Sequence, residues 1–356
     1  MRDESFAFLK ELVEAPSPSG YEQPAQRVFR AYVEPFAQVA GDVMGNVYGF
    51  IAGTGEERPR VMLVGHVDEI GFQVRYIDDK GFIYFAAIGG VDAHLTPGQR
   101  VIIHGRGGEV AGVIGKKPIH LMEAKDRETV VKLESQYIDI GVAAKAEAEE
   151  LVRVGDPITF AAGLERLQGD RVTSRAFDDK AGSFVVAEVL REVAARAEPL
   201  AVDLHGVSSV QEEIGLRGGT TSAYTVNPQI GICVEVDFCT DQPDVERKHN
   251  GDVALGKGPI LPRGANINPA LFELLAETAV QEGIPVQFTG IPRATGTDAN
   301  VMQISRGGVA TALVKIPLRY MHTPVETLAL SDLENAVRLI VATLARITAA
   351  GAFLPR

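Results

Sequence analysis

Tryptophan is absent, and cysteine occurs only at Cys233 and Cys239. The two form no CxxC and are too few for a disulfide framework or zinc knuckle, so they read as reduced, buried thiols. No apolar run is long enough to span a bilayer. The start, Met1-Arg2-Asp3-Glu4-Ser5, carries acidic residues and no apolar h-region, so no signal peptide is expected. Positive charge is outnumbered: 35 Lys and Arg face 47 Asp and Glu, a net charge of -12. That balance argues against nucleic acid or an anionic membrane as a partner. Repeats and low-complexity segments are also missing. These absences predict a cytoplasmic globular protein, and 356 residues allow two domains.

What is present is organised around Ser208-Ser209-Val210-Gln211-Glu212-Glu213-Ile214-Gly215. Leu200 to Val210 reads as a largely buried strand, and Gly215-Leu216-Arg217-Gly218-Gly219 as a turn into a helix. Two carboxylates therefore stand at the carboxyl end of a strand, the edge where open α/β sheets bind ligands. Adjacent carboxylates repel, so one is suited to hold a cation while its neighbour keeps a raised pKa. A metal ligand and a general base need that division.

The spacing predicts helices over Phe6–Val13 and about Gln23–Phe36, then strands over Val47–Ile51 and Val61–Val64. From Phe72 to Thr159 short β segments punctuated by Gly and Pro dominate, with one helix near Ala143–Leu151. Beyond Arg171, helices (Asp179–Ala195, Pro269–Gln281) alternate with strands (Leu200–Val210, Gln229–Glu235, Val286–Thr289, Val309–Ile316). Ser331 with Glu334 reads as a capping box opening the last helix. Alternation of this kind means α/β layering around a mixed or largely parallel sheet. The first ~70 residues must join the last block to complete that sheet. The expected domains are 1–71 with 160–356, discontinuous, and an inserted β-rich domain, 72–159.

Candidate metal ligands fall at strand ends and loops of the outer domain: His66, Asp178, Glu213, Glu235 and His322. Two imidazoles and three carboxylates suit zinc, cobalt or manganese. One bridging carboxylate would give each of two ions three protein ligands, a two-metal hydrolytic site. Asp68 offers a carboxylate to orient His66. His94, His104, His120, His205 and His249 lack an acidic cluster and read as structural or peripheral.

Several stretches resemble the M42 family of metallo-aminopeptidases. They are Gly65–Gly71, Ala176–Lys180, Gln211–Gly218, Thr240–Pro243, Gly296–Asn300 and Met321–Glu326, with Gly115–Met122 and Val154–Pro157 in the insertion. The resemblance covers nearly the whole chain in order. It implies an α/β, mixed-sheet, zinc-peptidase-like catalytic domain and two zinc or cobalt ions bridged by Asp178. His66 and Glu235 would complete one ion's set, and Glu213 and His322 the other's. Glu212 would be the general base and Asp68 would orient His66. It further implies a cis peptide between Asp178 and Asp179, and dimerisation through the insertion with dimers assembling into a dodecamer. The family usually has Asp where this chain has Glu235. Arg293, Thr297 and Asp298 are expected near the substrate pocket. The activity implied is release of N-terminal residues from short peptides by a metal-activated water. One rival is a glycoside hydrolase, endoglucanase-like, using paired carboxylates. The imidazoles and the lack of Trp for sugar stacking weigh against it. A non-catalytic assembly protein is the other, and the complete ligand set with Glu212 weighs against that.

Overall fold

Val61-Met62-Leu63-Val64 and Ile230 to Val236 are buried throughout, the signature of parallel strands covered on both faces. They form the middle of an eight-stranded sheet. A computed structural model describes residues 1–354 of the chain. It opens with helices α1 (Asp3–Glu14) and α2 (Gln23–Val33), then strands β1 (Gln38–Gly41), β2 (Val47–Ile51) and β3 (Arg60–His66). Strands β4 (Gly71–Ile77), β5 (Ile83–Ile88), β6 (Arg100–Gly105), β7 (Gly108–Gly115), β8 (Tyr137–Asp139) and β9 (Pro157–Phe160) follow, with α3 (Lys145–Leu151) before β9. Next come β10 (Glu165–Arg166), β11 (Arg171–Ser174), α4 (Phe177–Ala194), β12 (Asp203–Ser209), α5 (Arg217–Val226) and β13 (Ile230–Phe238). The chain ends through α6 (Arg247–Asn250), β14 (Ile260–Gly264), α7 (Pro269–Gln281), β15 (Gln287–Ile291), α8 (Asp298–Gln303), β16 (Ala310–Leu318), β17 (Glu326–Ala329) and α9 (Leu330–Leu344).

The large sheet runs β1-β2-β12-β3-β13-β16-β14-β15. Strands β12, β3, β13 and β16 are mutually parallel, so their carboxyl ends open on one edge. Strand order reverses on either side of β3, and a crevice at such a point is where ligands bind. Gly231 and its partner Met62 face α8, whereas Gly65, of opposite parity, faces α4. Strands β4 to β9 close into a separate barrel with its own core, in which Phe72 meets Phe85 and Phe160 edge-on at 4.9 and 5.2 Å. A three-stranded sheet, β10-β11-β17, stands apart from both. Among the described residues, no helix is long and apolar enough to cross a membrane.

One expectation fails. Helix α9 begins at Leu330, ahead of Ser331, and its N-cap is Ala329 with no side-chain cap. Asp170 is the reason: its carbonyl takes the Leu330 amide and its carboxylate takes the Ser331 hydroxyl at 2.6 Å. A tertiary partner has outcompeted the local capping box.

Two features hold the site edge in place. At Gly65 the strand approaches α4 so closely that a Cβ would lie 2.5 Å from the Gly182 carbonyl carbon. Ser183 uses the contact, donating from Oγ to the Gly65 and His66 carbonyls at 3.1 and 3.0 Å. Beneath the edge, buried Glu69 binds Arg175 and Lys180, with Lys180 Nζ at 3.0 Å. Lys180 also donates to the Ala15 carbonyl at 2.6 Å, and the Ser17 amide donates to Glu69 at 2.9 Å. Burial alone would raise the Glu69 carboxyl, but Arg175 and Lys180 hold it at about 2.

Gly65→Ala has no side chain to push aside, only backbone, so we expect a loss of about 1–3 kcal/mol from overpacking. Chemical denaturation measures it, and an unchanged midpoint would contradict the close approach. Glu69→Gln should cost about 3–5 kcal/mol at neutral pH, because Arg175 and Lys180 lose their buried counterion. Since Glu69 is held near 2 against an ordinary 4.5, its stabilisation is complete above the latter and fades as pH falls through the former. Denaturation midpoints of the two proteins should therefore converge on acidification across that window.

Candidate metal centre

His66 is the last residue of β3, and Ser209 of β12 pairs with it across the ladder. Glu235 lies on β13 two residues beyond Cys233, the partner of Val64, and so comes level with His66. Glu212 and Glu213 follow β12, where Gln211 at φ +56° turns the chain. Asp178 and Asp179 open α4 with non-helical backbone, joined by the expected cis peptide. His322, at φ +61°, lies in the loop between β16 and β17. All five ligand candidates and Glu212 thus meet at one edge of the sheet.

Both imidazoles are fixed in the same way. His66 Nδ1 faces the Asp68 carbonyl at 3.0 Å, and His322 Nδ1 faces the Gly90 carbonyl at 2.9 Å. A carbonyl only accepts, so each Nδ1 carries the proton and each Nε2 turns a lone pair inward. Asp178 lies between them, Oδ1 at 3.2 Å from His66 Nε2 and Oδ2 at 3.2 Å from His322 Nε2. Glu235 Oε1 and Glu212 Oε2 each come within 3.8 Å of His66 Nε2, and Glu213 Oε1 within 3.3 Å of His322 Nε2.

Two groups of three could each surround an ion: His66, Asp179 and Glu235, and Asp178, Glu213 and His322. Asp179 stands in the first group where the sequence reading had Asp178, but hydrogen bonding sets the two apart. Both Asp179 oxygens are occupied, accepting from the His66 amide (3.2 Å) and the Gly182 amide (3.0 Å). The Asp178 oxygens instead point one to each imidazole. Glu212 belongs to neither group.

Asp68 differs in detail from the sequence reading. It reaches His66 best through its carbonyl, and its carboxylate is 3.5 Å away. That carboxylate accepts instead from the Glu212 and Glu213 amides, at 2.9 and 3.2 Å, and from Ser19 Oγ at 2.7 Å. Glu22, which carries no motif, continues the pattern by accepting from the Gln211 amide at 3.2 Å. Glu326 accepts from the amides of Asp178 and His322. Of the expected pocket neighbours, Asp298 is buried and takes the Ser209 hydroxyl at 2.6 Å, Thr297 is buried, and Arg293 is exposed. The Thr240–Pro243 stretch is structural: Asp241 grips Arg319, three residues before His322, at 2.7 and 2.9 Å. His104 bonds Thr159, and His205 packs at a tilt against Phe50, ring centroids 4.9 Å apart.

The electrostatics call for a cation. Burial, with the adjoining carboxylates, pushes Glu212 up to about 10, and burial with Asp178 pushes Glu235 up to about 8. Asp178 and Glu213 in turn push His322 up to about 11. Asp178 goes the other way, held well below its usual range against its burial by the two imidazoles. Glu213 Oε1 is buried without a hydrogen-bond partner. While His322 is neutral, the lone pairs of Asp178, Glu213 and His322 converge with no donor among them. The pull that would draw a proton onto each Nε2 equally draws a metal ion, and the N/O donor set is one that divalent zinc, cobalt or manganese accepts.

Comparison with known proteins agrees with this chemistry. The family model described as M42 glutamyl aminopeptidase matches residues 45–339. Lysyl aminopeptidase from Pyrococcus furiosus is 38% identical over 340 residues, 94% of this chain and 95% of that protein. A TET aminopeptidase from a marine-sediment Thaumarchaeota archaeon superposes with a TM-score of 0.92 at 35% identity, covering 97% of each chain. The TET1 peptidase of Pyrococcus horikoshii, described as able to assemble into a tetrahedron or a large octahedral shell, superposes with a TM-score of 0.84. It is 31% identical, over 96% of this chain and 100% of that one. Sequence, fold and donor set lead to one conclusion: the chain belongs to the M42 family of metal-dependent aminopeptidases.

Proposed function

We propose that the centre holds two divalent ions, zinc or cobalt with manganese a third candidate, and releases N-terminal residues from short peptides. Asp178 would bridge the pair, with His66 and Glu235 on one side and Glu213 and His322 on the other. The observation that carries this is the Asp178 carboxylate, with one oxygen 3.2 Å from each inward-facing Nε2. When bound, the ions would activate a water, polarise the scissile carbonyl and offset the charge that develops on its oxygen.

The protein's own residues do the rest. Glu212 comes within 3.8 Å of His66 Nε2 without belonging to either donor group, so it is free to accept a proton from the attacking water. It then returns that proton to the leaving amine. Its high pKa, set by burial among carboxylates, would fall when positive charge enters the centre, which brings it into the working range of a base. Asp68 holds Glu212 and Glu213 by consecutive amides, so that Glu212 reaches towards His66 and Glu213 towards His322. The longer Glu235, where the family usually has Asp, sits level with His66 and bends back to accept from the Val236 amide at 3.0 Å. A glycosidase would need two carboxylates and neither imidazole; fixing both Nε2 atoms inward has no use in that chemistry.

Glu212→Gln should keep both ions while kcat falls by about 10²–10⁴, with KM changed far less. Glu213→Gln should lose occupancy of one ion, and Asp178→Ala should disturb both. Metal counting and turnover of aminoacyl-nitroanilides, run in parallel with a chelator control, check all three. Near-normal turnover by metal-replete Glu212→Gln would overturn the assignment.

The barrel is proposed to mediate self-association, by analogy with the shells of the Pyrococcus horikoshii relative and the symmetric assembly of most homo-oligomers. Light scattering at micromolar protein should give a mass many times that of one chain, and a stable, fully active monomer would refute it.

A further inference from the structure

The short sheet β10-β11-β17 has no ligand candidate of its own, yet both loops that carry Asp178 and His322 leave from it. In the β11–β17 register Ser174 lies opposite Glu326. Four residues after Ser174 comes Asp178, and four residues before Glu326 comes His322. Each intervening loop contains a non-glycine residue in left-handed backbone: Ala176 at φ +63° on one side, Tyr320 at +60° and His322 itself at +61° on the other. Such backbone persists only where its surroundings hold it.

Glu326 ties the two loops together. Its side chain is buried at the point where the two loops diverge. Oε1 accepts from the His322 amide at 2.8 Å and Oε2 from the Asp178 amide at 3.0 Å. One carboxylate thus spans two main chains, one bond to each. It touches neither the inner oxygens of Asp178 nor His322 Nε2. We propose that Glu326 is a positioning residue that sets the separation of Asp178 from His322 and thereby the metal affinity of the His322 side of the centre. Gly90, from the barrel, fixes the ring's tautomer, and Glu326 fixes where the ring's backbone stands. This inference rests on the proposal that Asp178 and His322 are metal ligands.

Two variants separate positioning from the alternatives. Glu326→Gln keeps the size but has one acceptor oxygen, so one amide loses its partner. Glu326→Asp keeps the charge and both oxygens but is one methylene shorter, so it cannot reach both amides at the present spacing. Zinc affinity is measured on the metal-stripped full-length chain by competition with a chromophoric chelator, with denaturation midpoints alongside. For wild-type protein two binding events are expected. In both variants one of them should weaken by about 10–100-fold, the range for lost outer hydrogen bonds to a ligand. The other event should stay near wild type, and kcat should recover as zinc is raised. If Glu326→Gln does not fold, Glu326→Asp is the decisive variant. Wild-type affinity at both events in Glu326→Asp would mean that charge and not reach matters, and would overturn the inference. So would two unaltered events in a folded Glu326→Gln. If wild-type protein itself shows no zinc dependence on Asp178 and His322, the metal assignment fails and this inference fails with it.

Discussion

The structure turns on the burial of many oxygen acceptors at one sheet edge. Asp178, Glu212, Glu213 and Glu235 face inward around two imidazoles, and the surrounding protein keeps them from escaping to solvent or spreading apart. Carboxylates crowded at this density repel, so each must be held from behind. Asp68, Asp179, Glu22 and Glu326 do so through main-chain amides of, or next to, the inward-facing residues. Glu69 does not join that ring. It is neutralised by Arg175 and Lys180 and anchors the loop after β3 to the start of α4. The carboxylates behind the edge are met by amides or cations, whereas Asp178 and Glu213 face the two imidazoles.

Much of the site was legible because its residues punctuate apolar strands. His66 follows Val61–Val64, Glu235 follows Ile232–Val234, and the Glu212–Glu213 pair follows a buried strand, so chain order alone placed them on one edge. The holding groups were less legible. Glu22 and Gln211 are 189 residues apart, and Glu326 and Asp178 are 148 apart. No local pattern records such bonds. The strands β10, β11 and β17 were missed for a related reason: at two to four residues they are too short to show a period. At Ser331 local capping chemistry lost to Asp170, more than 160 positions away.

The two histidines illustrate how little a list of candidate ligands says about how a metal could be held. Either ring nitrogen of an imidazole can bind metal, and only the partner of the other decides which does. Here both partners are backbone carbonyls, Asp68 and Gly90, which cannot be replaced by side-chain substitution. The choice of nitrogen is therefore a property of loop path, and it follows from the fold more than from any residue type.

The Gly90 carbonyl belongs to the stretch just after β5, within the barrel, while the His322 that it contacts belongs to the sheet domain. A Cβ on Gly90 would lie 3.1 Å from the imidazole, so the stretch after β5 and the β16–β17 loop meet tightly at the ring. The stretch after β5 thus borders the candidate metal centre. A chain shortened from β3 to β10 could retain every ligand and the whole large sheet and still present His322 with its tautomer unchosen. A side chain at position 90 could be admitted only if the ring of His322 gave way, so these two distant stretches constrain one another.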